Sequence, residues 1–65
     1  MNQTQVFAEE LMVGDEIDSH DDLIHTVEQV ELFDGNMVKI RVERSDGSEY
    51  TTELEGASRV TLREA

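Results

Sequence analysis

The sequence predicts an all-β fold, a five-stranded and strongly bent small barrel, and three observations predict it. Apolar residues recur with period two, as where Val38, Ile40 and Val42 alternate with Lys39 and Arg41. Short runs of such residues are separated by turn-forming clusters, Asp34-Gly35-Asn36 and Ser45-Asp46-Gly47. Finally, 65 residues without cysteine or proline make one domain spanning 1–65, with a small core and no disulfide or thiolate-bound metal to staple it.

The elements follow in chain order. A first strand is expected from Thr4 to Phe7, resuming near Asp15 to Ile17 after a sharp turn at Gly14-Asp15. Leu23 to Phe33 is rich in β-branched residues and reads as a long second strand. Within it Val27 and Val30 are three apart, so both can face inward only if a bulge at Glu28-Gln29 restores the phase and bends the strand. The third strand centres on Val38–Val42. The fourth, Glu49 to Leu54, places Tyr50, Thr52 and Leu54 on one face. Gly56-Ala57-Ser58 is a turn or a single 3₁₀ turn, and Arg59 to Arg63 ends the chain's β-structure with Val60 and Leu62 inward.

Loop length decides the register. A two-residue Asp46-Gly47 loop would set Val42 opposite Thr51 and turn Tyr50 to the wrong face. A three-residue loop with Gly47 left-handed instead pairs Val42 with Tyr50, Ile40 with Thr52 and Val38 with Leu54. A three-residue loop at Asp34-Gly35-Asn36, with Asn36 able to adopt the left-handed conformation, likewise pairs Leu32 with Val38 and Val30 with Ile40. Glu31 and Glu53 then flank Lys39 on the outer face. The expected core is Val6, Leu11, Ile17, Val27, Val30, Val38, Ile40, Val42, Leu54, Val60 and Leu62.

This strand spacing, with Val6 followed by Leu11-Met12-Val13-Gly14-Asp15, resembles the SH3-like small barrels. Many of them carry a Leu-x-x-Gly-Asp segment leading from the first strand into a variable loop. The compact acidic format also resembles small accessory proteins of bacteria and their phages. The resemblance concerns architecture and transfers no functional residue.

Charge narrows the function classes. Sixteen acidic residues against five basic ones give a net charge of −11. Residues 1–36 hold ten of the acids and neither lysine nor arginine. Such a surface disfavours direct nucleic-acid binding, which draws its affinity from phosphate neutralisation, and disfavours an anionic membrane surface. The basic residues Lys39, Arg41, Arg44, Arg59 and Arg63 interleave with glutamates, as cross-strand pairing requires. There is neither an apolar run of about 20 residues nor a signal-peptide pattern, so a soluble cytoplasmic protein is expected.

Two groups of residues are candidates for binding. The acidic loop Asp15, Glu16, Asp18, Asp21 and Asp22, with His20 among them, could serve as a phosphate-mimicking surface. It does not match a calcium loop: counting from Asp18, Leu23 stands where glycine is needed and Gln29 where a bidentate glutamate is needed. The second group is apolar. The register pairs Phe33 with Met37 on the outer face, and Phe7 and Met12 have no assured inward place, which suits a protein–protein contact. Pairing of an edge strand with its own copy is a further route to a homodimer. No spacing matches a nucleophile elbow or a phosphate loop, no cofactor or metal site is predicted, and His25, between Ile24 and Val27, reads as part-buried. The expectation is a non-catalytic protein-binding accessory module, with an acidic nucleic-acid mimic as the alternative.

Overall fold

In the computed structural model, which describes residues 4–63, the fold is all-β. The strands are β1 (Gln5–Phe7), β2 (Glu16–Ile17), β3 (His25–Phe33), β4 (Met37–Arg44), β5 (Glu49–Glu55) and β6 (Arg59–Thr61). They number six where the sequence pattern counts five. The expected first strand is divided in two by a 3₁₀ turn at Ala8–Glu10 and the loop after it, and its halves join different sheets. Strands β2-β3-β4-β5 form a curled half-barrel, and β1 and β6 pair as a separate two-stranded sheet. The sheets meet where Ile17 bridges Leu62. There the Asp18 N–H donates to the Thr61 carbonyl at 2.9 Å and the Arg63 N–H to the Glu16 carbonyl at 2.8 Å.

Both hairpins adopt the register that burial demands. Val42 lies opposite Tyr50, Ile40 opposite Thr52 and Val38 opposite Leu54. On the other side of β4, Val30 faces Ile40 and Leu32 faces Val38. The register shifts between Val27 and Gln29, leaving Glu28 as the bulged residue, so that Val27 and Val30 both reach the core side. Gly47 is left-handed at φ 92°, as its three-residue loop requires. The other loop solves the same problem differently. Asp34 at φ 51° and Gly35 at φ 76° take the left-handed positions there, and Asn36, expected to do so, does not. Instead Asn36 uses its carbonyl to accept the Gly56 N–H at 2.7 Å.

Val27, Val38, Ile40 and Val42 are the largest fully buried side chains, and Leu11 and Ala8 join them. Val6, Ile17, Val30, Leu54, Val60 and Leu62 pack around this centre, so every expected core residue is there, with Tyr50 added. Ala8 enters the core because the Glu10 carboxylate accepts the Phe7 N–H at 3.0 Å and holds the 3₁₀ turn inward. The turn docks on Gly56, whose carbonyl accepts the Glu9 N–H at 3.2 Å. A Cβ there would lie 3.0 Å from a Glu9 oxygen and 3.1 Å from the Asn36 carbonyl. A side chain there would push against the Asn36 carbonyl and the Glu9 carboxylate by a few tenths of an ångström. Among the described residues no helix is long and apolar enough to cross a membrane.

Leu32 shares the face of Val38 and Ile40 by register, yet it is 67% exposed. Among the described residues no strand pairs with that edge of β3 beyond Val27, β2 being only two residues long. Two residues on one face thus differ sharply in what they contribute. Ile40→Ala should cost about 2–5 kcal/mol. That is a large share of the roughly 3–10 kcal/mol expected for a domain of this length. Leu32→Ala should stay within about 0.5 kcal/mol of the parent, as surface substitutions do. Urea unfolding of both variants checks the contrast.

Candidate functional site

Between β5 and β6 the structure leaves a groove of about 480 Å³. Its apolar walls are Ile17, Tyr50, Leu54 and Val60, with Ile40 contributing to the lining from β4. Asp18, His20 and Arg59 add charged or polar groups. The groove exists because β5 has one strand neighbour, β4, while β6 turns away at Gly56 to pair with β1.

The bonding pattern of β5 defines its open side. Arg44 donates its N–H to the Ser48 carbonyl at 2.7 Å, and Gly56 donates to Asn36 at 2.7 Å. Antiparallel pairs alternate between bonded and non-bonded, so Tyr50, Thr52 and Leu54 also turn their backbone groups toward β4. Glu49, Thr51 and Glu53 turn theirs the other way. No backbone group among the described residues meets them there.

Tyr50, in the wall of this groove, ends a polar chain centred on His25, which is only 6% exposed. Its Nε2 lies 3.0 and 3.1 Å from the two Asp21 carboxylate oxygens, and its Nδ1 lies 3.0 Å from the Tyr50 hydroxyl. In the neutral ring Nε2–H donates to Asp21 and Nδ1 accepts the Tyr50 proton. Burial pushes the Tyr50 phenol up from its ordinary pKa, which keeps it a donor. The Arg44 guanidinium covers the Tyr50 ring at 4.4 Å from its centre. Asp21 also accepts the Leu23 N–H at 2.9 Å and the Ser19 hydroxyl at 2.9 Å. These two bonds, with the backbone one leading, and the bond to His25 hold its carboxyl below the usual range.

The acidic loop is therefore braced from within. Asp15 accepts the Met12 N–H at 2.9 Å, Glu16 pairs with Arg63 at 3.1 Å, and Asp21 anchors the segment before β3. Asp18 and Asp22 are exposed, and these two retain the character of a free acidic surface. The apolar candidates occupy three places. Phe33 faces Met37 across the β3–β4 hairpin, both half-buried. Phe7, 41% exposed, lies on β1 with the Arg59 guanidinium 6.0 Å from its ring centre. Met12, 67% exposed, stands on the turn before β2 beside Val13 at 68%.

A carboxylate cluster unmarked by the sequence reading lies on the opposite, outer face. Glu28, Glu43 and Glu49 bring one oxygen each within 4.8 Å of one another. The register alone places Glu43 opposite Glu49, a like-charge pair, and the bulge adds Glu28 to it. Glu28 Oε1 is shut off from solvent without a hydrogen bond, its nearest cation being the Arg41 Nε at 4.0 Å. The close Glu49 carboxyl, desolvation and the neighbouring Glu43 and Glu49 charges raise the Glu28 pKa above the ordinary value. The Asp21–His25–Tyr50 chain was equally illegible: a four-residue spacing outside a helix carries no pairing signal. No protein-family model, curated protein or solved structure matches the chain.

Two measurements check these placements. Tyr50→Phe keeps the ring but strips His25 Nδ1 of its partner, and should cost about 1–3 kcal/mol in chemical denaturation. Glu28→Gln should raise the thermal midpoint at neutral pH. A raised folded-state pKa gives stability that is complete below the unfolded value and is lost as pH rises through the folded one. The advantage of Glu28→Gln should thus disappear on acidification to about pH 3, where carboxylates protonate.

Proposed function

We propose that the chain is a non-catalytic protein-binding module on an SH3-like barrel, of the accessory kind that bacteria and phages encode, acting in the cytoplasm. The isolated Ile17–Leu62 bridge, which joins the β1–β6 sheet to the edge of the four-stranded sheet at β2, supports the barrel reading. The observation that carries the binding reading is the apolar surface left uncovered. Phe7, Met12, Val13 and Leu32 are 41–68% exposed in a chain with few large apolar residues to spare.

Two features favour binding over chemistry. Both His25 nitrogens are taken, by Asp21 and Tyr50, and the Ser19 hydroxyl donates to Asp21 and the Leu23 carbonyl rather than to a histidine. Four of the five cations have side-chain neighbours: Arg41 lies near Glu28, Arg44 over Tyr50, Arg59 near Phe7 and Arg63 against Glu16. The fifth, Lys39, is exposed between Glu31 and Glu53 on the neighbouring strands. That leaves little positive surface for direct contact with nucleic acid.

The second reading, an acidic mimic that occupies the nucleic-acid groove of another protein, draws on exposed Asp18 and Asp22 and the run of ten acids without a base. Salt separates the two. A partner retained at about 0.5 M salt, where the Debye length is only a few ångströms, and lost on Met12→Ser with Val13→Ser, is the expected outcome. A partner released by that salt, and by Asp18→Asn with Asp22→Asn, would replace the apolar reading with mimicry. Neither substitution pair removes a side-chain bond that holds the fold.

A further inference from the structure

We infer that the open edge of β5 takes up an extended segment of a partner polypeptide, one whose residues alternate between basic and apolar. This rests on the protein-binding reading and adds a second contact surface, apart from the exposed Phe7, Met12, Val13 and Leu32, with the chemistry of the segment it takes. Glu49, Thr51 and Glu53 present a row of backbone donors and acceptors with nothing opposite them among the described residues. Unpaired strand edges of this kind are templates for strand addition.

The side chains along that edge select the occupant. Glu49 and Glu53 are exposed on the outer face, and residues directly opposite each other across a strand pair share a face. A segment laid beside β5 would therefore set every second residue against Glu49, Thr51 and Glu53, where lysine or arginine is matched. The residues between them would turn to the other face, toward Tyr50, Thr52 and Leu54 and the groove of about 480 Å³ that these help to line. Apolar side chains are matched there.

A second copy of this chain fits badly at the same edge. Antiparallel self-pairing about Thr51 would place Glu49 of each copy opposite Glu53 of the other, two like-charge contacts in a short pairing. In a parallel arrangement the same acidic face would still line both strands. The glutamates thus block self-association while leaving the edge open to a cationic strand, which is how natural edges combine protection with recognition.

The test follows backbone amide exchange in the whole chain during titration with a synthetic Lys-Val-Lys-Val-Lys-Val-Lys peptide. Two comparison peptides are used: one of the same composition in the order Lys-Lys-Lys-Lys-Val-Val-Val, and one with glutamate in place of lysine. The expected result is slowed exchange at Glu49, Thr51 and Glu53, with the alternating basic peptide bound at least roughly tenfold more tightly than either comparison. Thr51→Pro should abolish the effect, because its N–H faces the open edge and no β4 bond is lost. Glu49→Lys with Glu53→Lys should transfer the preference to the acidic peptide, which a merely unfolded variant would not do. Equal binding of the two basic peptides, changes confined to other amides, dimerisation through the edge, or no change at all would each overturn the proposal. Those outcomes leave the general protein-binding reading to the salt-resistant capture, which fails or holds independently.

Discussion

Strand β4 is the constraint on which the rest of the molecule depends. Val38, Ile40 and Val42 are all but inaccessible, and each is held between a residue of β3 and a residue of β5. Because a one-residue slip would expose all three at once, the register of two hairpins is decided by one strand. The bulge at Glu28 follows from the same demand: β3 must bring both Val27 and Val30 to the core side, and only an extra residue allows it. With β3 bent there, the sheet curls, and the short β1–β6 sheet closes over its concave side through Val6, Val60 and Leu62.

The polar surface is shaped by what this core imposes. Fixing Val42 opposite Tyr50 fixes Glu43 opposite Glu49 one residue away, and the bulge then brings Glu28 to the same spot. Three carboxylates are gathered as a by-product of burying three valines and an isoleucine, with a raised Glu28 pKa as the electrostatic consequence. On the inner face the same pairing puts the Tyr50 hydroxyl within 3.0 Å of His25 Nδ1, where it satisfies that nitrogen. His25 is buried because it begins β3 opposite Ile17, and Asp21 reaches back to its other nitrogen. The acidic loop thus owes its shape to the β-sheet it precedes: carboxylates that look like a free charged surface in sequence are partly consumed as hydrogen-bond acceptors.

The proposed binding function draws on the side where the half-barrel is left open. Among the described residues the curled sheet ends at β5, with an unpaired edge, a groove beside it and Glu49 and Glu53 along it. In so small a domain there is little core to spare for closing the gap, and the exposed Phe7, Met12, Val13 and Leu32 belong to the same shortage. In the proposed reading, surface that the fold does not cover itself is what a partner uses, and its charge restricts which partner.

Period-two patterning and turn chemistry carried the all-β class, both hairpin registers, the Glu28 bulge and the core from Val6 to Leu62, because each of these is enforced locally by alternation and loop length. They also paired Phe33 with Met37. The 3₁₀ turn that buries Ala8 was not legible, since it depends on Gly56 lying a few ångströms from Glu9, forty-seven positions away in the chain (56 − 9). Nor was the left-handed Asp34, chosen because the Asn36 carbonyl is committed to Gly56. The Asp21–His25–Tyr50 chain, the Glu28–Glu43–Glu49 cluster and the open edge of β5 likewise arise from contacts between elements distant in sequence. Alternation specifies which face a side chain takes. Which faces then meet, and which edge is left without a partner, is settled only when the sheets close on one another.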